Sequence, residues 1–320
     1  MPALELLKNL RLPVIAAPMF IVSNKEMVLA QCKAGIVGSF PALNARGKGE
    51  FEQWLQFLNE ELDKYNQQNP DSPAAPFAVN QIVFKSNARL HEDMELCVKY
   101  KVPIIITSLG AVPEINQAAH SYGGIVFHDV INQRFARKAI EQGADGLIAV
   151  AAGAGGHAGT VSPLALIQEI REWFDGPLAL SGSISTGRAV LAAQALGADF
   201  AYIGSSFIAT EEANASQAYK KMVVDCAADD IVYSNYFTGV HGNYLKPSIT
   251  AAGMDPNNLP QGDISSMQEL TNESSGNKAW KDIWGCGQGI GAVDEIQTVA
   301  ERVLKLEQEY QFAKEQILNT

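Results

Sequence analysis

Short apolar runs alternate with longer amphipathic stretches along the N-terminal two thirds of the chain. The runs are apolar at consecutive positions, which is typical of parallel strands buried on both faces. Eight such runs predict strands at 14–19, 35–40, 77–83, 102–108, 124–128, 146–151, 177–182 and 200–204. The stretches between them predict helices at 24–33, 48–65, 86–99, 132–142, 162–174 and 186–196.

Eight strand–helix repeats favour a (β/α)8 TIM barrel over residues 1–210, with a doubly wound open sheet as the alternative. Polar loops and helical patches at 211–284 predict a smaller, mostly helical cap over the active site. Residues 285–320 form a C-terminal segment whose last helix, expected at 293–317, packs back on the barrel. Helix starts are indicated by side chains that cap N-termini, namely Asn24, Ser86, Asn132 and Ser162.

Composition excludes several classes of protein. The 320 residues are 47% hydrophobic and carry a net charge of −11, so a nucleic acid or anionic membrane partner is not expected. The N-terminus lacks the pattern of a secretion signal, and no apolar run approaches the roughly 20 residues that span a bilayer. We expect a soluble, cytoplasmic protein, and base rates favour a homodimer.

Four cysteines are scattered along the chain, and the histidines show no metal-ligand spacing. The sequence therefore predicts buried free thiols and no metal site. The cysteines are Cys32, Cys97, Cys226 and Cys286.

Two loops rich in Gly and Ser follow the seventh and eighth predicted strands. They read Ser181-Gly182-Ser183-Ile184-Ser185 and Gly204-Ser205-Ser206-Phe207. In TIM barrels these loops often bind phosphate through backbone N–H groups and hydroxyls. Ordinary turns and helix caps are the alternative interpretation, because Gly and Ser are common in loops.

A third loop, Gly153-Ala154-Gly155-Gly156-His157, follows the sixth predicted strand. Its glycines allow a flat ring to lie against the main chain, and His157 can exchange a proton near neutral pH. Gly153, Gly155 and Ala158, with Asp175 further on, also satisfy a loose dinucleotide fingerprint. That alternative is disfavoured because the loop is sixth in a series and does not open a βαβ unit.

Further side chains that could contact a ligand lie in or after other strands, and they would meet on one face of a barrel. They are Met19 and Ser23 after the first strand, Asn80 and Gln81 in the third, Thr107 and Ser108 after the fourth, and His128 and Asp129 after the fifth. His128 beside Asp129 is either a second acid/base pair or, more simply, a structural histidine.

These motifs together resemble the nitronate monooxygenase family, formerly called 2-nitropropane dioxygenases. The resemblance rests on Ala17-Pro18-Met19, Asn80, Ala154-Gly155-Gly156-His157, the two phosphate loops and Gly287-Gln288-Gly289-Ile290-Gly291, in this order over nearly the whole chain. The family has an FMN-binding TIM barrel with a smaller helical domain over the flavin. It also includes NADH:quinone reductases and flavin-dependent enoyl-acyl-carrier-protein reductases.

The resemblance implies a role for individual residues. His157 would be the catalytic histidine beside the reactive edge of the flavin, and Gln288 would approach the cofactor from the C-terminal segment. The cofactor-binding residues expected in total are Ala17, Met19, Asn80, Thr107, Gly155, Gly156, Gly182, Ser183, Gly204, Ser205 and Gln288.

Three positions depart from the pattern that the family often shows. Gly153 stands where a Glu is frequent, Ser183 stands in a loop that often reads Gly-Gly-Ile, and Ser206 replaces an Arg in Gly-Thr-Arg-Phe. The hydroxyls that could bind phosphate are kept. FMN therefore remains the expected cofactor.

The expected activity is FMN-dependent oxidation of small alkyl nitronates, and also of nitroalkanes, by O2 to a carbonyl compound and nitrite. One alternative is an NAD(P)H-dependent reductase of quinones or enoyl thioesters on the same scaffold. Another is a flavin-free barrel that binds a phosphorylated metabolite. The fold alone does not choose between these chemistries.

Overall fold

Eight parallel strands close into a barrel in this computed structural model, which describes residues 5–84, 86–262 and 282–319. The barrel strands are β1 Val14–Ala16, β2 Gly38–Pro41, β3 Phe77–Ile82, β4 Ile104–Ser108, β5 Ile125–Val130, β6 Gly146–Val150, β8 Leu178–Ser181 and β9 Phe200–Ile203. Their spatial order is β1, β9, β8, β6, β5, β4, β3 and β2. The ring closes where Ala16 N donates to Val37 O at 2.8 Å and Val37 N donates to Val14 O at 3.1 Å.

The barrel confirms the predicted fold class and excludes the open-sheet alternative. Its helices are α1 Lys25–Lys33, α2 Glu50–Gln68, α3 Leu90–Lys99, α4 Pro113–His120, α5 Gln133–Glu141, α6 Pro163–Arg171 and α7 Gly187–Ala195. Asn24 and Asn132 cap α1 and α5 as predicted, since each side chain accepts a backbone N–H. Ser86 does not cap α3, which begins after Arg89, and α4 was not predicted.

Side chains of the barrel strands alternate between two environments. On β4, Ile104 and Ile106 fill the barrel interior, whereas Ile105 packs outward against the helices. The interior is closed by large side chains such as Phe127 and Phe200, whose rings meet edge to face. A ligand site is therefore expected above this packed core, at the carboxyl ends of the strands.

The part of the chain after the barrel contains helices and also a small sheet. The helices are α8 Ser205–Ile208, α9 Gln217–Asp225 and α10 Lys246–Ala251. The strands are β10 Ile231–Ser234 and β11 Gly242–Leu245, and β11 pairs antiparallel with β7 Gly156–His157 from the barrel loop. β10 and β11 were not predicted, because their sequences, Ile-Val-Tyr-Ser and Gly-Asn-Tyr-Leu, show no strict alternation of apolar and polar residues. The rest of the predicted cap, residues 263–281, lies outside the described residues.

A long helix, α11 Val299–Leu318, ends the described chain. Thr298 and Glu301 form a capping box at its start, so the helix begins later than the predicted residue 293. It packs closely on α7, where a Cβ on Gly187 would lie 2.0 Å from Leu306 O. The buried Arg302 donates a hydrogen bond to Ser185 O, which ties α11 to the loop after β8. Within the described residues, no helix has the length and hydropathy to cross a membrane.

Candidate functional site

Two adjoining pockets lie at the carboxyl ends of the barrel strands. One is a cavity of about 660 Å³, and the other is a small pocket of about 20 Å³ beside it. The cavity volume falls in the range of about 300–1,000 Å³ typical of small-molecule sites. Five residues line both pockets and so join them: Gly155, Ser181, Tyr202, Gly204 and Ser205.

The small pocket is built from the two predicted phosphate loops. Ser183 adopts a left-handed backbone with φ of 56°, and Gly182 has φ of 137°. Both residues line the pocket, together with Ser185 of the same loop and with Gly204 and Ser205 of the second loop. No Lys or Arg occurs among the described residues that line this pocket. An anion bound here is therefore held by backbone N–H groups and hydroxyls.

Gly153 and Gly287 bring two further segments against this pocket. Gln288 N donates to Gly153 O at 2.9 Å, and Gly287 N donates to Ser205 Oγ at 2.8 Å. A Cβ on Gly153 would lie only 2.1 Å from Ser183 Oγ. Gly153 and Ser183 both differ from the pattern that the resembled family often shows. The two differences are physically linked, because the Ser183 hydroxyl occupies the space that a side chain at 153 would need.

The inner wall of the cavity comes from alternate residues of neighbouring strands. Asn80, Ser108 and Asp129 line it from β3, β4 and β5. Thr107, a predicted cofactor contact, is not among the lining residues, because its side chain points to the outer face and bonds His128 Nδ1 at 2.6 Å. Ser108 takes the place that the prediction gave to Thr107.

His128 and Asp129 do not form an acid/base pair, since adjacent strand residues face opposite sides. Burial lowers the pKa of His128 to about 4, helped by the charge of Lys138. His128 is therefore a structural, uncharged histidine at neutral pH. Asp129 faces the cavity, and burial raises its pKa to about 6 while Ser108 and the Leu109 N–H oppose the rise.

Asn80 presents a hydrogen-bond acceptor to the cavity. Its Nδ2 donates to Ile106 O at 3.1 Å and to Ser108 Oγ at 2.8 Å, which uses both of its protons. Because a backbone carbonyl can only accept, this contact also fixes which end of the amide is nitrogen. Oδ1 is left to accept an N–H or O–H from a ligand in the cavity.

His157 lies at the cavity on β7, where the small sheet holds its backbone. β11 pairs Gly242 with His157, and Ala158 N donates to His241 O at 3.2 Å. The His157 ring places Nε2 3.0 Å from Thr238 Oγ1, and that hydroxyl donates to Val240 O. The tautomer of the ring decides whether Nε2 donates to or accepts from this hydroxyl. Burial lowers the pKa of His157 to about 4, so the ring is neutral at neutral pH.

Backbone strain is concentrated at the two pockets. Among the described residues, four other than glycine have a positive φ, and three of these line a pocket: Ile21, Leu109 and Ser183. The left-handed conformation costs an L-residue about 1–2 kcal/mol. Such strain often marks functional sites.

The segment after the barrel supplies the opposite side of the cavity. Tyr219 and Trp284 stack with ring centroids 4.9 Å apart and both line it. The Tyr219 hydroxyl donates to Gly285 O, which fixes the loop that leads to Gly287. None of these contacts has a signal in the sequence.

Most of the predicted site residues come together here. The cavity is lined by Ala17, Met19, Asn80, Gly155, Gly156, His157, Gly204 and Ser205, and the small pocket by Gly155, Gly182, Ser183, Gly204 and Ser205. Gln288 lines neither pocket, although its Oε1 approaches the Gly153 side of the small one. Sequence reasoning missed Tyr202, which alternation along the eighth strand could have indicated.

The dinucleotide fingerprint at 153–158 is wrong. Its last residues form the short strand β7 and its loop, whereas the fingerprint requires the start of a helix. Within the described ranges, no group of three or more His, Cys, Asp or Glu side chains is arranged to hold a metal ion.

The fold and site define a TIM barrel with a cavity at the carboxyl ends of its strands and the small pocket beside it, after the last two strands. The family model for nitronate monooxygenase matches residues 2–309, and the chain belongs to that family.

Individual relatives are distant. The nitronate monooxygenase of Paraburkholderia phytofirmans is 25% identical over 289 residues, covering 76% of each chain. A relative from Mycobacterium tuberculosis, whose name assigns it to the monooxygenases, is 26% identical over 68% of this chain. The matched part spans only 61% of that relative.

Solved structures agree in fold. A nitroalkane oxidase from Streptomyces ansochromogenes has a TM-score of 0.79 at 21% identity, with 98% of this chain and 99% of that chain covered. FabK from Thermotoga maritima has a TM-score of 0.77 at 21% identity, covering 99% of this chain and 98% of that chain.

Proposed function

We propose that this protein is an FMN-dependent monooxygenase that oxidises small alkyl nitronates, and also nitroalkanes, with O2 to a carbonyl compound and nitrite. The observation that carries the proposal is the position of His157 at a cavity that continues into the small pocket. Family membership supports the reaction class.

The residues fit FMN in both of its parts. Glycine and serine N–H groups and hydroxyls surround the small pocket, and apolar residues such as Met19, Ile82 and Val150 line the cavity beside it. In this proposal residues 1–210 bind the flavin, residues 211–284 cap it, and residues 285–320 pack back on the barrel. When bound, FMN supplies the electron transfer between substrate and O2.

The protein's own residues orient the substrate and accept its proton. A neutral imidazole ring has one nitrogen without a proton, so His157 at the cavity can accept the proton that leaves the α-carbon of a nitroalkane. For a nitronate, which has already lost that proton, His157 positions the substrate. General base catalysis typically contributes about 10²- to 10⁴-fold in rate.

The direct test is purification followed by an absorbance spectrum and an assay of nitrite release from an alkyl nitronate under air. We expect a bound or reconstitutable FMN and nitrite formation without NADH. A colourless protein that FMN cannot reconstitute would overturn the proposal and favour the flavin-free alternative.

A further inference from the structure

Asp129 is a carboxyl group on the inner wall of the cavity. Among the described residues, Asp129 and Asp282 are the acidic side chains that line it, and Asp282 lies on the opposite side near Trp284. No Lys or Arg of the described chain lines either pocket. A charge on Asp129 is therefore not neutralised by a cation in the described part of this wall.

The surroundings of Asp129 hold its carboxyl in place. The Ser108 hydroxyl and the Leu109 N–H both act as donors to it, and Leu109 has the strained φ of 65°. Ser108 Oγ in turn accepts from Asn80 Nδ2 at 2.8 Å. These contacts link Asp129 to Asn80, whose Oδ1 faces the ligand space.

Asp129 also lies near the route between the two pockets. Tyr202 lines both of them, and the negative charge of Asp129 helps to raise the pKa of Tyr202. A ligand with its phosphate in the small pocket and its ring against Asn80 must pass Tyr202. Such a ligand therefore places its ring over the wall that holds Asp129.

We propose that Asp129 is a cofactor-tuning residue, whose carboxylate opposes the gain of negative charge by a bound flavin and so lowers the flavin's reduction potential. Like charges repel strongly where water is excluded. The inference rests on the proposed function, because it requires FMN in the cavity.

The pH range of the effect depends on the groups that face the cavity. Burial lowers the pKa of His157 to about 4, so this ring is neutral at higher pH. Burial raises the pKa of Tyr202, so this hydroxyl stays protonated. Asp282, an exposed residue of the segment after the barrel, lines the same cavity. Asp129, with its pKa of about 6, is thus the barrel-wall group that gains charge between mildly acidic and mildly basic pH.

The experiment measures the reduction potential of FMN bound to the wild type and to Asp129→Asn, by stepwise anaerobic reduction against a dye of known potential. At about pH 8 we expect the variant's affinity for reduced FMN, relative to oxidised FMN, to be about tenfold higher than in the wild type. For a two-electron reduction this ratio corresponds to a rise of about 30 mV in the reduction potential. At about pH 5, where Asp129 is protonated, the two potentials should agree. Asp63→Asn is the matched control, since Asp63 is exposed on α2.

Equal potentials for wild type and Asp129→Asn at both pH values would overturn the inference while leaving the proposed function intact. A wild type that binds no FMN would overturn the proposed function itself. If Asp129→Asn does not bind FMN, Asp129→Ser also removes the charge and is measured with the same two outcomes.

Discussion

His157 combines a fixed ring with a low pKa. Thr238 holds Nε2 at 3.0 Å, and burial lowers the pKa to about 4. The ring therefore stays neutral over the whole neutral range. A neutral imidazole can accept a proton, and it does not need to lose one first.

Replacing His157 by Asn should lower nitroalkane turnover by about 10²- to 10⁴-fold, because a general base is lost, and should lower nitronate turnover through lost positioning, while FMN stays bound. The side chain faces the cavity, whereas the small pocket that would hold the phosphate does not contain it. Nitrite release and the visible flavin spectrum measure the two effects separately. His120→Asn, at an exposed histidine bonded to Asp145, is the matched control. Unchanged turnover with several substrates would remove His157 from the mechanism.

Asp129 should make stability depend on pH. Its pKa is about 6 in the folded protein against an ordinary 3.8, so folding favours the protonated form. This contribution is fully present below about pH 4 and is lost as the pH rises through 6. Asp129→Asn should therefore raise the Tm of the flavin-free protein by a few degrees at about pH 8, and by less at about pH 4. Thermal unfolding followed by circular dichroism tests this, and a difference independent of pH would contradict it.

Much of the site is predictable at the level of single residues, because Gly, Ser and His after strands carry specific chemistry. Thr107 was misplaced since strand ends are uncertain by a residue, and a shift of one residue exchanges the two faces. Thr238 and Trp284 could not be predicted, since their place depends on the tertiary arrangement of the segment after the barrel.

The small sheet is the element that positions the loop that carries His157. β7 is only Gly156–His157, and its partner β11 holds it by backbone pairing. Asn243 Nδ2 adds a hydrogen bond to Ala154 O at 2.7 Å. The loop after the sixth barrel strand is thus fixed from outside the barrel, in a way that strand–helix alternation does not reveal.

The Gly153 loop and the Ser183 loop should behave as one unit. Gly153→Ala adds a Cβ 2.1 Å from Ser183 Oγ at a φ of 83°, so both a clash and strain result. We expect a loss in the free energy of unfolding beyond the about 1–2 kcal/mol of the left-handed conformation alone, together with weaker FMN binding. Urea denaturation and FMN titration measure these effects.

Gly253→Ala is the control for that substitution, since Gly253 has a φ of 84° and nothing within 4 Å of an added Cβ. Adding Ser183→Gly to Gly153→Ala should restore part of the stability, because it removes the clashing hydroxyl. Strictly additive effects of the two substitutions would show that the loops are independent.

At the scale of the whole molecule, the barrel is predictable because eight repeats leave few other ways to bury eight apolar strands. The closing helix α11 was also predictable, but its attachment was not. Arg302 of α11 donates to Ser185 O in the loop after β8, and Gly187 of α7 packs against the backbone of Leu306. Both contacts join residues more than a hundred positions apart in the chain. The C-terminal segment therefore supports the loop that lines the small pocket from outside.

We propose that FMN in this cavity is reduced by a nitronate. The most direct measurement is the anaerobic flavin spectrum of the FMN-loaded protein after addition of a small alkyl nitronate and, in a separate sample, of NADH. We expect bleaching by the nitronate and no bleaching by NADH. Bleaching by NADH alone would contradict the proposal and identify an NADH-dependent reductase on the same scaffold.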